Sequence, residues 1–573
     1  MTVGDTAGNV PQAEETASGR DDSGSDAAAV EGEGAQAGHD VGLPVATVRS
    51  RARETPVASS ARGDAPGRPP QPRILLAVVS TAAFMAMLDN LAVTNALPGM
   101  GRDLGLGISG LQWAVASYTL VLAATLLSAG AVGDRLGQRR TFLAGLLGFM
   151  AGSALSSLAT TLTTMVAGRV VQGLGAAVLL PAGTALLRHT YPDATARAHA
   201  LGVRAAVAGL GVALGPAFGG LLTQALGWRS VMWINVPIGA AALAAAWRVL
   251  PRPPAAPVRW DPAGQVLAVT GLGSLVYGLV QGPVDGWSAP GTAAALTAAA
   301  LALPAFAFVE TRVSRPLLDS VLFRSRECRA VTLSCFSSSV ALFGGAFFLS
   351  LFLQNILGWS PAGAGMVFLS ASAFIALASP VAAALTVRFG VHVPLALGLG
   401  FDALALAGLS CFGRQAAYAE YWWLLPVLGV GTGLLFVPAT ITLVGRAPAA
   451  HVGTASAVVD TLREVGGVVG VSALGAVLTA RMRSALQGRA APAGFGHDAR
   501  EHLVRSVVTG GPAHWPDTGS RPGTGASSLT VWVEDSFVEG LQLALRCGAL
   551  TLLGTLVLVL ALLSRRRTQP QPD

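Results

Sequence analysis

Ionisable residues deep inside long apolar stretches are the ones able to do chemistry in this chain, because a charge in hydrocarbon is costly and rarely kept without a use. Asp89 is the foremost. It lies about 15 residues into an apolar run, hence ~23 Å into a ~30 Å hydrocarbon core. Arg169 stands near the start of another run, ~6 to 8 Å below the same surface, so the two could meet. Such a pair would keep the carboxylate charged; separating it would let the carboxyl take a proton, which makes it a coupling device for proton transport. Two other uses remain open: a packing hydrogen bond for Asp89 and snorkelling to the interface for Arg169. Asp402 sits nine residues into the run from Pro394 to Phe412, near the midplane. It reads as a second proton site, a counter-charge for a cationic substrate, or a local bond to a hydroxyl or backbone partner. Asp460, Arg463 and Glu464 share one helical face by their i, i+3, i+4 spacing, as a functional cluster or as helix-end salt bridging. All 8 histidines fall in tails, loops or ends of runs, which leaves the carboxylates to carry protons.

These groups need membrane helices to hold them. Hydrophobic residues form 52% of the chain and charged residues 12%, so most of it belongs in lipid. All 38 basic residues are Arg, which excludes a Walker ATPase, a pyridoxal Schiff base and a retinal Schiff base, each of which requires Lys. The 4 cysteines, Cys328, Cys335, Cys411 and Cys547, have neither paired nor metal-ligand spacing and read as free thiols. No HExxH or GxSxG pattern appears, so neither a zinc hydrolase nor a serine esterase is indicated.

From Ile74 onward, about 14 apolar spans follow one another, approximately 74–97, 110–133, 140–160, 164–187, 198–222, 229–250, 263–282, 292–312, 330–352, 362–386, 393–412, 423–445, 455–479 and 539–563. Residues 1–73 lack a core-forming pattern and read as a disordered cytoplasmic tail. With both termini inside, the short cytoplasmic loops hold Arg135, Arg139, Arg140, Arg188, Arg197, Arg252, Arg259, Arg315, Arg324, Arg326 and Arg388, and Arg565 to Arg567 follow the last span. The segment near 481–537 is expected to be a long external loop despite its arginines, since long loops escape the charge rule. In the fifth span, Gly211, Gly215 and Gly219 recur every fourth residue and form a side-chain-free stripe; Gly202 falls opposite, and Pro216 bends the helix. Between the second and third spans, Gly130, Asp134, Arg135, Gly137, Arg139 and Arg140 form a tight turn. There Asp134 is expected to cap a helix and pair with Arg, with a simple positive-inside anchor as the alternative.

These motifs occur in an order that resembles the major facilitator superfamily, and within it the 14-span drug:proton antiporters. The resemblance rests on Gly202 to Gly220 (the antiporter motif), Gly130 to Arg140 (the signature loop), Leu88 to Pro98 in the first span, Leu111 to Leu120, the run Arg169, Val170, Val171, Gln172, Gly173, Gly175 that is similar to the family's arginine motif, Trp228 to Gly239, and many second-half glycines. Thr94 and Asn95 depart from the usual first-span order. The resemblance covers about residues 74 to 480 and the last span. It implies an all-α membrane protein with a six-helix bundle at 74–250, a two-helix insert with its cytoplasmic linkers at 251–329, a second bundle at 330–563 and a short tail at 564–573. The two bundles would rock around a central cavity, for which Tyr118 and Phe347 are candidate aromatics, with core packing as their alternative. It further implies export of small amphipathic, hydrophobic or cationic compounds in exchange for protons, without metal, cofactor or nucleic acid, by a monomer. The absence of Lys suggests GC-rich coding, hence a bacterial cytoplasmic membrane. A proton-coupled importer and a membrane sensor of the same fold remain the alternatives.

Overall fold

The computed structural model describes residues 71–251, 261–313, 325–446, 452–492, 496–510 and 526–564, all within one unit, Arg68–Asp573. The expected tail therefore lies outside the described residues up to residue 70. So do Arg252, Arg259, Arg315, Arg324, Arg521, Arg565, Arg566 and Arg567.

The regular elements among the described residues are all helices, joined by short turns. In chain order they form α1 (Pro72–Leu104), α2 (Ile108–Leu136), α3 (Gln138–Ser157), α4 (Leu162–Thr190), α5 (Ala194–Leu226), α6 (Arg229–Trp233), α7 (Asn235–Val249), α8 (Pro262–Asp285), α9 (Pro290–Glu310), α10 (Arg326–Leu351), α11 (Pro361–Phe389), α12 (His392–Leu409), α13 (Tyr418–Tyr421), α14 (Leu424–Arg446), α15 (Val452–Ala490), α16 (His497–Gly510) and α17 (Ala526–Ser564). Among them, 13 spans are long and apolar enough to cross a membrane. α3 supplies a further helix of 20 residues that is less apolar, because its face towards α4 is built from Gly and Ser.

Helices α1 to α7 pack into one bundle and α10 to α17 into another, and the α8–α9 hairpin lies against both α2 and α15. The fold is the two-bundle arrangement with a two-helix insert. Small residues let its helices approach closely. The stripe of α5 faces α1: a Cβ on Gly211 would fall 2.6 Å from the Phe84 carbonyl oxygen, and one on Gly215 3.1 Å from that of Leu88. Gly202 has open space beside it.

Two expectations need correction, and one expected span carries an interruption. The sixth span is present as one apolar span of 21 residues, Arg229–Val249, interrupted only at Ile234 between α6 and α7, where Pro237 has no N–H for the Trp233 carbonyl four residues back. The segment near 481–537 is largely helical where it is described: α15 runs on to Ala490, α16 follows, and α17 begins at Ala526. At 39 residues, α15 and α17 are each about 58 Å long, far beyond a ~30 Å hydrocarbon core. Arginines counted as loop charges are instead paired: Arg483 with Glu501 at 2.5 Å, and Arg481 and Arg489 with Glu539 at 2.8 and 2.5 Å. Asp134 neither caps α3, whose N-cap is Gly137, nor makes an ion pair among the described residues. Gln138, one turn along, reaches back and donates to Asp134 at 2.7 Å, while Arg139 donates to the Trp247 carbonyl at 2.6 Å. Arg135 and Arg140 are exposed, and Gly130 has open space where a side chain would be.

The bundles meet along a seam that is tight towards the end where α1 and α5 finish. There a Cβ on Gly365 of α11 would lie 3.1 Å from the Ala217 Cα of α5, and one on Gly220 3.1 Å from the Ala362 Cα. Gln112 Nε2 donates to the Val471 carbonyl at 2.8 Å. This end is called the closed end below.

Candidate functional site

Glycine contacts between α3 and α4 set up the site. A Cβ on Gly152 would fall 2.6 Å from the Gly168 carbonyl oxygen, and one on Gly175 2.7 Å from that of Gly145, so both helices must be bare there. That proximity puts Ser153 of α3 against Gln172 of α4, whose Nε2 donates to Ser153 Oγ at 2.8 Å. One turn before Gln172, Arg169 points across to α1.

Arg169 and Asp89 are both 0% exposed and form an ion pair of 2.6 Å. The second Asp89 oxygen accepts from Asn235 Nδ2 at 2.7 Å, and Asn235 also reaches Ser153 Oγ at 3.3 Å. Arg169 NH1 donates to Gln172 Oε1 at 2.7 Å, and its Nε to the Ala114 carbonyl at 3.2 Å. The Tyr118 ring lies 4.3 Å from the guanidinium carbon, a cation–π contact. Four helices of one bundle, α1, α2, α4 and α7, thus converge on a single charge pair, with α3 supporting them. Arg169 NH2 and Asn235 Oδ1 have no hydrogen-bond partner, so the network is satisfied on most sides but not all. A buried pair held this way is costly to break from one side only.

The other bundle holds its acid differently. Asp402 accepts from Ser338 Oγ at 2.6 Å and Thr432 Oγ1 at 3.3 Å. Gly431 of α14 lies against α12 as Gly168 of α4 lies against α3: a Cβ on Gly431 would be 2.8 Å from both the Gly398 carbonyl oxygen and the Asp402 nitrogen, and one on Gly168 3.0 Å from the Gly152 carbonyl oxygen and 2.7 Å from the Ser156 nitrogen. Asp402 therefore occupies the place of Ser156, and Thr432 that of Arg169. The two halves repeat the packing but not the charge.

At the seam, Glu464 of α15 is buried and pairs with Arg463 at 3.1 Å, while Arg463 lies 3.9 Å from Asp460. Glu464 also accepts from Asn90 Nδ2 of α1 at 3.0 Å, and Arg463 NH2 contacts Met87 Sδ at 3.3 Å. The cluster is thus more than helix-end salt bridging, because it bonds one bundle to the other. Nearer the closed end, Asn95 of α1 donates to the Pro216 carbonyl at 2.8 Å, its side-chain oxygen accepts from Ser350 at 2.9 Å, and its carbonyl accepts from Gln354 at 3.2 Å. The departure at Asn95 from the usual first-span order is therefore a three-helix junction. Phe347 does not line an open cavity: it is buried edge-to-face against Phe348 with centroids 4.7 Å apart, and Tyr118 is equally enclosed under Arg169.

Ser153, Gln172, Asn235 and Asn90 were not assigned roles from the sequence. Gln172, Asn235 and Asn90 carried a usable signal, an amide within an apolar run, since an unsatisfied amide in hydrocarbon costs several kcal/mol. Among the described residues, no group of three or more His, Cys, Asp or Glu could hold a metal ion.

A sequence model of the Major Facilitator Superfamily matches residues 79–471. The chain is 33% identical over 508 residues to the tetracenomycin C resistance and export protein of Streptomyces glaucescens, covering 88% of this chain and 93% of that one. It is 36% identical over 413 residues to the puromycin resistance protein pur8 of Streptomyces alboniger, covering 70% and 81%. Among solved structures, a bacterial homolog of the human lysosomal transporter Spinster, in an inward-facing and occupied conformation, aligns with a TM-score of 0.59 at 15% identity over 89% of this chain and all of that one, a likeness of fold.

Proposed function

The chain belongs to the Major Facilitator Superfamily and is a multi-pass membrane transporter, not an enzyme, and from that premise we propose that it exports small amphipathic drugs or toxic metabolites in exchange for protons. The observation that carries this reading is the fully buried Asp89–Arg169 pair, a charge device that a packing role alone would not require. Export and resistance enter from the printed functions of the relatives, among them tetracenomycin C and puromycin resistance proteins.

In this reading the termini are cytoplasmic, the closed end faces outward, and the membrane is the bacterial cytoplasmic membrane. Asp89 is the proton carrier and Arg169 its counter-ion. Gln172, Asn235, Ser153 and Tyr118 hold the pair in register. When α1 shifts against α4 within its bundle and Asp89 is drawn from Arg169, a carboxylate left alone in an apolar interior takes up a proton rather than stay charged. That proton enters from the outer side and leaves to the cytoplasm as the pair re-forms, so each cycle moves a proton inward and a substrate outward. The signature turn at Gly130 to Arg140 serves as cytoplasmic gating loop through Arg139 and the Trp247 carbonyl. Asp402, satisfied by two hydroxyls, serves the packing of the second bundle. The protein works as a monomer.

Cells expressing the protein and preloaded with ethidium are expected to lose the dye rapidly, and an uncoupler that collapses the proton gradient should stop that loss. Efflux that survives the uncoupler would rule out proton exchange.

A further inference from the structure

Water and burial meet sharply on one face of α15. The Asp460 side chain is 57% exposed, whereas Glu464, one turn towards the closed end, is 2% exposed. Glu464 is thus a buried acid one helical turn from a water-exposed one. Its partner there is Asn90, whose neighbour in the chain is Asp89. On a helix, consecutive residues point about 100° apart, so α1 presents Asp89 to its own bundle and Asn90 to the other. One rigid helix therefore carries both contacts. Tyr118 lies within electrostatic range of both acid–arginine pairs, Asp89 with Arg169 and Glu464 with Arg463.

We infer that Glu464 is a positioning residue and not a carrier of the transported proton: its bond to Asn90 ties the bundle seam to the helix that carries Asp89. The inference rests on the proton-exchange reading above. Glu464 faces Arg463 and Asp460 on its own helix and Asn90 on α1, with Tyr118 of α2 within electrostatic range. From α8, α10, α14, α16 and α17, which also pack on α15, Cys335 of α10 comes into range of Arg463; Arg204 of α5 comes into range of Asp460. A proton from water at Asp460, bound by a Glu464 oxygen, removes the negative charge that Arg463 pairs with. Arg463 then keeps Asp460 as its anionic neighbour, and the Asn90 bond loses its charge assistance, which is about half its strength. The hold of α1 on α15 weakens, and Asp89 moves with α1.

The test needs no substrate. Ala217 sits under Gly365 at the closed seam, so in protein whose four native cysteines are replaced by serine, Ala217→Cys reports opening of that end by its rate of labelling with an impermeant maleimide. In this background labelling is expected to quicken from mildly alkaline to mildly acidic buffer. Glu464→Gln, which keeps an acceptor for Asn90 but not the charge, should label about fivefold faster than the parent in alkaline buffer, the share of one net hydrogen bond, and lose the pH response. Asn90→Ala should do the same, and the double variant no more. Thermal unfolding of each variant guards against misfolding, and Asn90→Ala keeps the test open if Glu464→Gln does not fold. A pH response that persists in either variant, or effects that add in the double variant, would overturn the inference. Failure of the underlying proton-exchange reading shows separately, as gradient-driven transport that survives Asp89→Asn.

Discussion

Arg169→Leu is expected to lower stability by about 3–5 kcal/mol, the cost of leaving a buried carboxylate without its partner. The magnitude follows from what surrounds the site. Asp89 and Arg169 are fully enclosed, so no water can take over the lost contact. Removing the guanidinium also empties the place above the Tyr118 ring and leaves Gln172 Oε1 and the Ala114 carbonyl without their donor. Asn235 remains as a single neutral donor to Asp89. Thermal unfolding of purified protein in detergent measures the effect. The companion variant is diagnostic: Arg169→Leu combined with Asp89→Asn removes the orphaned charge and should recover most of the stability, because replacing both members of a buried pair is far cheaper than replacing one. The double variant should nonetheless remain unable to couple. Equal instability of the single and double variants would mean that Arg169 acts through its packing volume.

Gly220→Val should trap the protein open at its closed end. A Cβ at this position meets the backbone of α11 at Pro361 and Ala362, which cannot turn aside as a flexible side chain could. Gly220 stands beside, not on, the stripe of Gly211, Gly215 and Gly219 that packs α5 against α1, so the bundle itself is spared. The overpacking cost, about 1–3 kcal/mol, therefore falls on the closed state alone. A bias of that size moves a two-state equilibrium about 5- to 150-fold. Maleimide labelling at Ala217→Cys should rise accordingly and become insensitive to pH, while the unfolding temperature stays near that of the parent. A large fall in stability without faster labelling would place Gly220 in the bundle core.

The helices and the buried charge pair were legible because each depends on few residues. An apolar run of about 20 residues announces a span by itself, and depth along two helices was enough to bring Asp89 and Arg169 to one level. The seam was not legible. Asn90 bonds Glu464 across 374 residues of chain, and no local spacing encodes that approach. The same holds for Asn95, whose partners lie on α5 and α10. Asp134 misled because an acid before a helix usually caps it, but Gln138 competes from within the helix. The helical character of the segment near 481–537 was hidden by its charge: arginines that read as solvent-facing are neutralised by Glu501 and Glu539, one of them more than 50 residues away from its arginine along the chain. The interruption at Ile234 is encoded by Pro237, which offers no N–H to the carbonyl four residues back.

Proton exchange turns on Asp89 as the proton carrier. The most direct measurement reconstitutes wild type and Asp89→Asn into liposomes and follows ethidium in two modes, uphill accumulation driven by an imposed pH gradient and counterflow exchange without one. Asn at this position keeps the size and hydrogen-bonding reach of Asp but cannot bind and release a proton. Uphill accumulation is expected to be lost in Asp89→Asn while counterflow continues, since the bundles still rock around the substrate. Undiminished uphill accumulation by Asp89→Asn would contradict it and take the proton away from this site.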